Sequence, residues 1–189
     1  MGQRMFVAVV PPLVATEHLD AFLEPRREAA PFRWTPCDQL HVTLAFLESV
    51  PERRLDDLVE RLGAAASRRK PFETRIAGGG AFPHVAGSRV LYAGLALGEE
   101  ERSSLERLAA GTRTAAATSG IEIDGRRFRP HITVARIARP TQTSNWVRLL
   151  DAYEGPGFTV DRISLVASHL GEGPRRRPRY EIVDTFPLG

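Results

Sequence analysis

The sequence has one cysteine, Cys37, among its 189 residues. A single cysteine cannot form an intrachain disulfide, and it cannot supply the several thiolates of a structural zinc site. This shortage agrees with a reducing compartment, so we expect a cytoplasmic protein.

Long hydrophobic runs are also missing, since no apolar stretch approaches the roughly 20 residues that a membrane-spanning helix needs. The apolar run at residues 5–10 is stopped by Pro11 and Pro12, and no small-residue cleavage site follows it. We interpret this run as a first β-strand rather than a signal peptide. The sequence therefore predicts no contact with a membrane.

Nucleotide-binding fingerprints of the G-x-G-x-x-G and G-x-x-x-x-G-K-S/T kinds are absent, which leaves Rossmann and P-loop folds without support. No linker separates independent domains. A chain of this length, 42% hydrophobic, suits one domain over residues 1–189 with two tightly joined lobes. We expect a monomer.

Lysine is scarce too: Lys70 is the only one, so arginine supplies nearly all of the positive charge. The formal net charge is +3. Arginine suits two-pronged contacts with phosphate. Abundant alanine beside it also indicates codon bias in a GC-rich genome. The composition therefore permits an anionic substrate without requiring one.

Strand-like and helix-like segments alternate along the chain, which is compatible with an α+β arrangement as well as with a parallel sheet. Ser49 and Glu52 form a capping-box pattern with Pro51 in the first turn, which predicts a helix starting there. Helices are also predicted at 13–29, at 99–118 and around Trp146. Strands are predicted at 5–10, 41–48, 72–79, 89–96, 131–137, 158–169 and 179–186.

One short pattern occurs twice, 90 residues apart: His41-Val42-Thr43-Leu44 and His131-Ile132-Thr133-Val134, each followed by alanine. An Arg-aromatic pair precedes each copy, which hints at two related lobes. On a strand, residues i and i+2 share a face, so each histidine should lie beside its threonine. If the lobes pack about a pseudo-two-fold axis, the two faces meet across a cleft.

Two imidazoles and two hydroxyls in one cleft suit in-line attack on a phosphodiester. One histidine accepts a proton from water while the other donates one to the departing oxygen, and an ordinary pKa of about 6.5 makes both forms available. Threonine hydroxyls can donate to the nonbridging phosphoryl oxygens. A lone His-x-Thr is usually only a polar pair on a strand, and the repetition favours catalysis.

The remaining candidates are weaker. His18, His84 and His169 are more simply explained as structural or solvated residues. Cys37 lies close to His41, but nothing around it suggests a thiolate nucleophile.

The two motifs make the sequence similar to the 2H phosphoesterase superfamily, and within it to the RNA 2′,3′-cyclic phosphodiesterases, also called 2′-5′ RNA ligases. Tyr92, where tryptophan is frequent in the family, and His169, where a polar or basic residue is expected, are small departures. The matching segments cover almost the whole chain: Met5-Phe6-Val7-Ala8, Leu40-His41-Val42-Thr43-Leu44-Ala45-Phe46-Leu47, Gly80-Ala81-Phe82-Pro83, Arg89-Val90-Leu91-Tyr92-Ala93-Gly94, Phe128-Arg129-Pro130-His131-Ile132-Thr133-Val134-Ala135-Arg136, Phe158-Thr159-Val160 and Arg179-Tyr180.

The resemblance implies a bilobal α+β fold, with two antiparallel sheets and flanking helices around a central cleft. It implies opening of an RNA 2′,3′-cyclic phosphate to a 2′-phosphomonoester without metal or cofactor. His41 is then the proton donor and His131 the proton acceptor. The expected partners are RNA ends or nucleotide cyclic phosphates.

Further substrate contacts are predicted with less support from the pattern. Arg129 lies two residues before His131 and should share its face, whereas Arg136 should point away unless a bulge intervenes. Phe6 could stack on a base, although core packing is the simpler explanation. Residues 175–177, three arginines, could follow an RNA backbone or form a solvated hairpin loop.

Three alternatives stay open. The first is a related phosphodiesterase acting on small cyclic nucleotides or an ADP-ribose cyclic phosphate. The second is an RNA-binding module without turnover, which the two intact motifs argue against. The third, a metallophosphatase, would need clustered ligands, and neither motif contains a carboxylate.

Overall fold

The structure, a computed structural model, describes residues 2–125 and 127–189, with the side chain of Arg175 outside the description. Nine strands form the framework of this described part. They are β1 (Gln3–Val9), β2 (Arg33–Trp34), β3 (Val42–Val50), β4 (Phe72–Phe82), β5 (Ser88–Leu95), β6 (Ile132–Thr141), β7 (Glu154–Val160), β8 (Arg162–His169) and β9 (Arg179–Pro187).

Four α-helices connect these strands: α1 (Leu13–Leu23), α2 (Leu55–Ala66), α3 (Glu99–Thr118) and α4 (Ser144–Asp151). The prediction for α3 is confirmed at both ends. The first helix is shorter than predicted, because a 3-10 segment replaces it over Glu24–Ala29. Pro25 lies in that segment and has no N–H to donate to the preceding turn.

The capping box predicted at Ser49 is wrong. Strand β3 continues to Val50, which pairs with Gln3 of β1, and a 3-10 turn at Glu52–Arg54 precedes α2. Pairing in the sheet therefore overrides the local capping pattern. The single strand predicted at 158–169 is two strands, which divide at Asp161 because β7 pairs with β4 and β8 pairs with β1.

All strand pairs are antiparallel, in the order β7-β4-β5-β6-β3-β1-β8-β9. The series divides into two four-stranded halves, β7-β4-β5-β6 and β3-β1-β8-β9. Between β3 and β6 one residue pair is aligned, Val42 opposite Ile132. Each half places its motif strand at this junction. The predicted α+β fold class is confirmed, but the two predicted sheets are joined in one nine-stranded sheet.

The helices cover the outer faces of the two halves. Helices α2 and α3 pack together and against β9 and β3, whereas α1 and α4 pack against β7 and β4. On β1 the side chains alternate: Met5, Val7 and Val9 enter the main core, while Phe6 and Ala8 belong to a second cluster on the opposite face. That second face is left to form a cleft between the halves.

Each central strand contains a bulge soon after its motif threonine. On β3 the register with β1 shifts between Thr43 and Ala45, and on β6 the register with β5 shifts between Thr133 and Ala135. The extra residue turns the following side chains to the other face. The two halves thus share the same local irregularity.

Candidate active site

The two His-x-Thr motifs meet at the junction of the two halves. Each histidine immediately precedes its strand, so His41 adjoins Val42 and His131 adjoins Ile132. Extending the register of that pair by one residue sets His41 opposite Thr133 and His131 opposite Thr43. The structure therefore brings together the four residues that the sequence analysis selected.

Both imidazoles are oriented by the same backbone contact. His41 Nδ1 donates to the carbonyl oxygen of Gln39 at 2.7 Å, and His131 Nδ1 donates to the carbonyl oxygen of Arg129 at 2.7 Å. A carbonyl only accepts, so Nδ1 carries the proton in each ring. Nε2 is then the nitrogen that is available for proton transfer.

Aromatic side chains hold each ring in place. His41 stacks on Phe6 with ring centroids 4.6 Å apart and meets the edge of Tyr180 at 5.6 Å. On the other side, His131 meets Phe82 at 4.9 Å and Tyr92 at 5.5 Å. Packing of this kind limits rotation of the imidazoles, which preorganises them.

Burial among these groups favours the neutral imidazole. The pKa of His41 is lowered from 6.5 to about 4, mainly by desolvation. The bond to Gln39 opposes this shift, and the charges of His131 and Arg136 contribute to it. Desolvation also lowers the pKa of His131, and the nearby Arg136 acts in the same direction. Without an anion in the cleft, both rings are neutral near pH 7.

The cleft around the histidines has a volume of about 390 Å³. Four arginines line it: Arg4, Arg33, Arg136 and Arg177. None of the described lining residues is acidic, so the cleft is strongly cationic and suits an anionic ligand. The described residues contain no group of three or more histidine, cysteine, aspartate or glutamate side chains able to hold a metal ion.

Comparison with known families agrees with this site. The family model of the 2′-5′ RNA ligase superfamily matches residues 14–172. The chain belongs to this superfamily.

Named relatives of this superfamily member have one activity in common. An RNA 2′,3′-cyclic phosphodiesterase of Thermus thermophilus is 33% identical over 194 residues, with 98% of this chain and 90% of the relative covered. One from Geobacillus stearothermophilus is 31% identical over 97% of this chain, which spans only 56% of that relative's length. The predicted family and the predicted hydrolase class are confirmed by these similarities.

A solved structure supports the fold. Escherichia coli LigT in complex with 3′-AMP is 26% identical and has a TM-score of 0.76, with 100% of this chain and 99% of LigT covered. In the described part of the superfamily member, no helix combines the length and apolar character needed to cross a bilayer.

The structure places Arg129 and Arg136 differently from what strict alternation along the strand predicts. Because the β6 bulge shifts the register, Arg136 lines the cleft. Arg129 is not among the lining residues, and its guanidinium lies 5.9 Å from the ring centroid of Phe82. Its backbone carbonyl, rather than its side chain, serves the site by accepting from His131.

Phe6 lies at the cleft but does not offer a free ring for a base. Its side chain is only 3% exposed, and its stacking partner is His41. The predicted base contact is therefore replaced by packing against a motif histidine, in line with the simpler explanation.

Of the three arginines at 175–177, Arg177 lines the cleft and its Nη1 donates to the carbonyl of Trp34 at 2.7 Å. Arg175 lies outside the described side chains. Gln39 Nε2 also donates to the Pro178 carbonyl at 3.0 Å, so two bonds tie this loop to the segment before His41.

Sequence reasoning missed Arg4 and Tyr180 as cleft residues, and it treated Arg33 only as a sign of duplication. The Arg33-Trp34 pair preceding the first motif was the available signal for Arg33. Arg4 lies two residues before Phe6 on β1 and therefore shares its face, so alternation along the strand could have placed Arg4 at the cleft.

The other histidines and the cysteine lie outside the lining residues. His18 contacts the Tyr153 hydroxyl at 2.9 Å, and His169 contacts Glu181 at 3.2 Å. Cys37 is half-buried and free.

Proposed function

We propose that this protein hydrolyses terminal 2′,3′-cyclic phosphates of RNA to 2′-phosphomonoesters. The observation that carries the proposal is the meeting of two His-x-Thr motifs at one residue pair, Val42 opposite Ile132. Two imidazoles with the same tautomer, each with Nε2 available, then face one cationic cleft. The activity for which the bacterial relatives are named supports the same reaction.

In the proposed mechanism His131 Nε2 accepts a proton from water, whose oxygen attacks the phosphorus in line with the 3′-oxygen. The bond between phosphorus and the 3′-oxygen breaks, and His41 Nε2 gives its proton to that oxygen. The products are a 2′-phosphomonoester and a free 3′-hydroxyl. Each proton transfer contributes about 10²–10⁴ in rate.

Charge on the phosphoryl oxygens is proposed to be stabilised by Thr43, Thr133 and Arg136. The hydroxyls share strand faces with the histidines, and all three side chains line the cleft. Donors aimed at the nonbridging oxygens stabilise the transition state most when they are held in place beforehand.

The neutral state of both rings suits the base but not the acid. We infer that the bound phosphate raises the pKa of the histidine that acts as the acid, because an anion beside a histidine favours the imidazolium form. Substrate binding is then coupled to protonation of His41. Burial lowers the pKa of both rings, so the assignment of His41 as donor and His131 as acceptor rests on the family resemblance.

The same site should also join two RNA ends. If the 5′-hydroxyl of an RNA replaces water, attack on the cyclic phosphate forms a 2′-5′ phosphodiester and releases the 3′-hydroxyl. No ATP is consumed. A product that forms only with ATP would indicate an adenylating ligase instead.

The proposal is tested with an RNA oligomer ending in a 2′,3′-cyclic phosphate, incubated with the protein in excess EDTA. We expect a 2′-phosphomonoester at an undiminished rate. A 3′-phosphate product, or activity restored only by a divalent ion, would contradict the mechanism. A parallel panel of small cyclic nucleotides and an ADP-ribose cyclic phosphate identifies a different substrate class if only these are opened.

A further inference from the structure

Two arginines lie directly opposite each other at the edge of the cleft. Strand β2 pairs with β6 so that Arg33 is aligned with Arg136, and both side chains line the cleft. Directly opposed residues on antiparallel strands point to the same face, with Cβ atoms about 4.5–5.5 Å apart.

Neither guanidinium has a hydrogen bond or an ion pair with another described residue. Like charges directly opposite each other on a sheet destabilise it. An anion between or beside the two side chains removes this repulsion. The pair is therefore better explained by ligand binding than by stability.

The two arginines differ in their distance from the histidines. Arg136 is close enough to lower the pKa of both His41 and His131, whereas Arg33 is not among the charges that shift either one. Strand β5 occupies one edge of β6. On the other edge β3 contributes one aligned pair at Ile132, and β2 follows at Ala135 and Arg136. Arg33 thus extends the cationic surface away from the reacting centre.

We propose that Arg33 binds a second phosphate of the substrate, the phosphodiester on the 5′ side of the terminal nucleotide, while Arg136 faces the cyclic phosphate. This inference rests on the proposed function and narrows its substrate class. The preferred substrate is an oligonucleotide end with at least two phosphates, rather than a mononucleotide cyclic phosphate.

Arg4 is the rival for the same phosphate. It also lines the cleft, its guanidinium lies 4.4 Å from the ring centroid of Phe46, and its Nε is buried without a hydrogen-bond partner. Arg33 is favoured because it is directly opposite Arg136, whereas Arg4 lies on the other half of the sheet.

The test compares a nucleoside 2′,3′-cyclic phosphate with a dinucleotide carrying the same cyclic end. For the wild-type protein we expect a higher kcat/KM on the dinucleotide. In Arg33→Gln the ratio of the two kcat/KM values should fall at least about 10-fold, mainly through KM, because the variant loses a charged hydrogen-bond donor to the second phosphate. Arg33→Lys should retain part of the ratio.

Arg139→Gln is the matched control. Arg139 is an exposed arginine of β6 that does not line the cleft, and its loss changes the net charge equally. Both kcat/KM values should be unchanged, and thermal unfolding of all variants checks that they are folded.

Equal losses on both substrates in Arg33→Gln would overturn the proposal. So would a lost ratio in Arg4→Gln with the ratio kept in Arg33→Gln. Calorimetry measures in parallel the affinity of the protein for the two 2′-phosphorylated products. In Arg33→Gln the dinucleotide product should lose its tighter binding, whereas the affinity for the mononucleotide product should be unchanged. This arm tests Arg33 even when neither cyclic phosphate is opened, a result that would contradict the proposed function alone.

Discussion

At the scale of single residues, the peptide group two positions before each motif histidine sets its tautomer. Gln39 and Arg129 present carbonyl oxygens to Nδ1 of His41 and His131 at the same distance, 2.7 Å. The two rings are thus chemically alike, and their surroundings distinguish them. His41 is enclosed by Phe6 and Tyr180, and desolvation lowers its pKa to about 4.

A sulfur-substituted substrate separates the two proposed roles. Replacing either histidine by alanine should lower kcat at least about 10²-fold, with smaller losses for Thr43→Ala and Thr133→Ala. A thiolate leaves without prior protonation, because the pKa of a thiol is about 8.5. With sulfur at the 3′-bridging position, His41→Ala should therefore recover much of its activity and His131→Ala should not.

Steady-state rates on the oxygen and sulfur substrates measure this recovery, with circular dichroism as the folding control. Recovery of His131→Ala alone would reverse the acid and base assignments. Recovery of neither variant would mean that the rings act mainly by stabilising charge.

Burial of neutral His41 predicts a loss of stability in acid. Between its ordinary pKa of 6.5 and the folded value of about 4, the unfolded chain binds a proton that the folded protein does not. The free energy of unfolding therefore falls as the pH is lowered through this window. The loss is on the order of 2 kcal/mol, after allowance for solvent at the cleft.

Urea unfolding of the wild-type protein and of His41→Gln at neutral pH and near the lower end of the window measures this effect. The variant should lose less stability on acidification. The lowered pKa of His131 acts in the same direction, so part of the pH dependence should remain. An equal loss in both proteins would contradict the role of His41.

At the scale of elements, a bulge decides which arginine reaches the cleft. Strict alternation along β6 would put Arg129 with His131 and turn Arg136 away. The register shift between Thr133 and Ala135 turns the side chain of Arg136 towards the cleft instead. The bulge contains no glycine that would have indicated it in the sequence. Its residues, Val134 and Ala135, are both apolar and buried.

A pair of substitutions tests this consequence. Arg136→Gln should raise KM for a cyclic phosphate substrate about 10-fold or more, since it removes a charged hydrogen-bond donor from the cleft. Arg129→Gln changes the charge equally but keeps the backbone carbonyl that holds His131. It should have kinetic constants close to those of the wild-type protein, and the reverse order of effects would refute the placement.

At the scale of the whole molecule, the cationic charge is concentrated rather than spread. The formal net charge is only +3, whereas four arginines and no described acidic residue line the cleft. A cleft lined by one sign of charge focuses the field and attracts an oppositely charged substrate. Association with RNA should therefore depend on ionic strength more than the net charge suggests.

Salt titration of kcat/KM on an oligonucleotide substrate measures this dependence. The value should fall as salt is raised, because the screening length shortens from about 10 Å at 0.1 M to about 3 Å at 1 M. Arg4→Gln should flatten the slope, since Arg4 lines the cleft. Arg102→Gln, which removes an exposed charge from α3, should leave the slope unchanged, and equal slopes in all three proteins would rule out a local field.

The sequence by itself determined the strand character of the two motifs, the α3 boundaries and the pairing of each histidine with its threonine. These features depend on local alternation and helical periodicity, which a short segment carries within itself. The family resemblance added the lobed fold. The sequence could not show where 158–169 divides, because the crossing at Asp161 depends on pairing with β4 and β1.

Tertiary structure decided which further side chains line the cleft beside the two motifs. Arg4, Arg33, Arg136 and Tyr180 come from four strands that are far apart in the chain. Their convergence depends on sheet register, two bulges and the single aligned pair between Val42 and Ile132. Register is fixed by contacts between distant segments, and a one-residue shift turns a side chain to the opposite face, so residue types and spacing alone could not specify this surface.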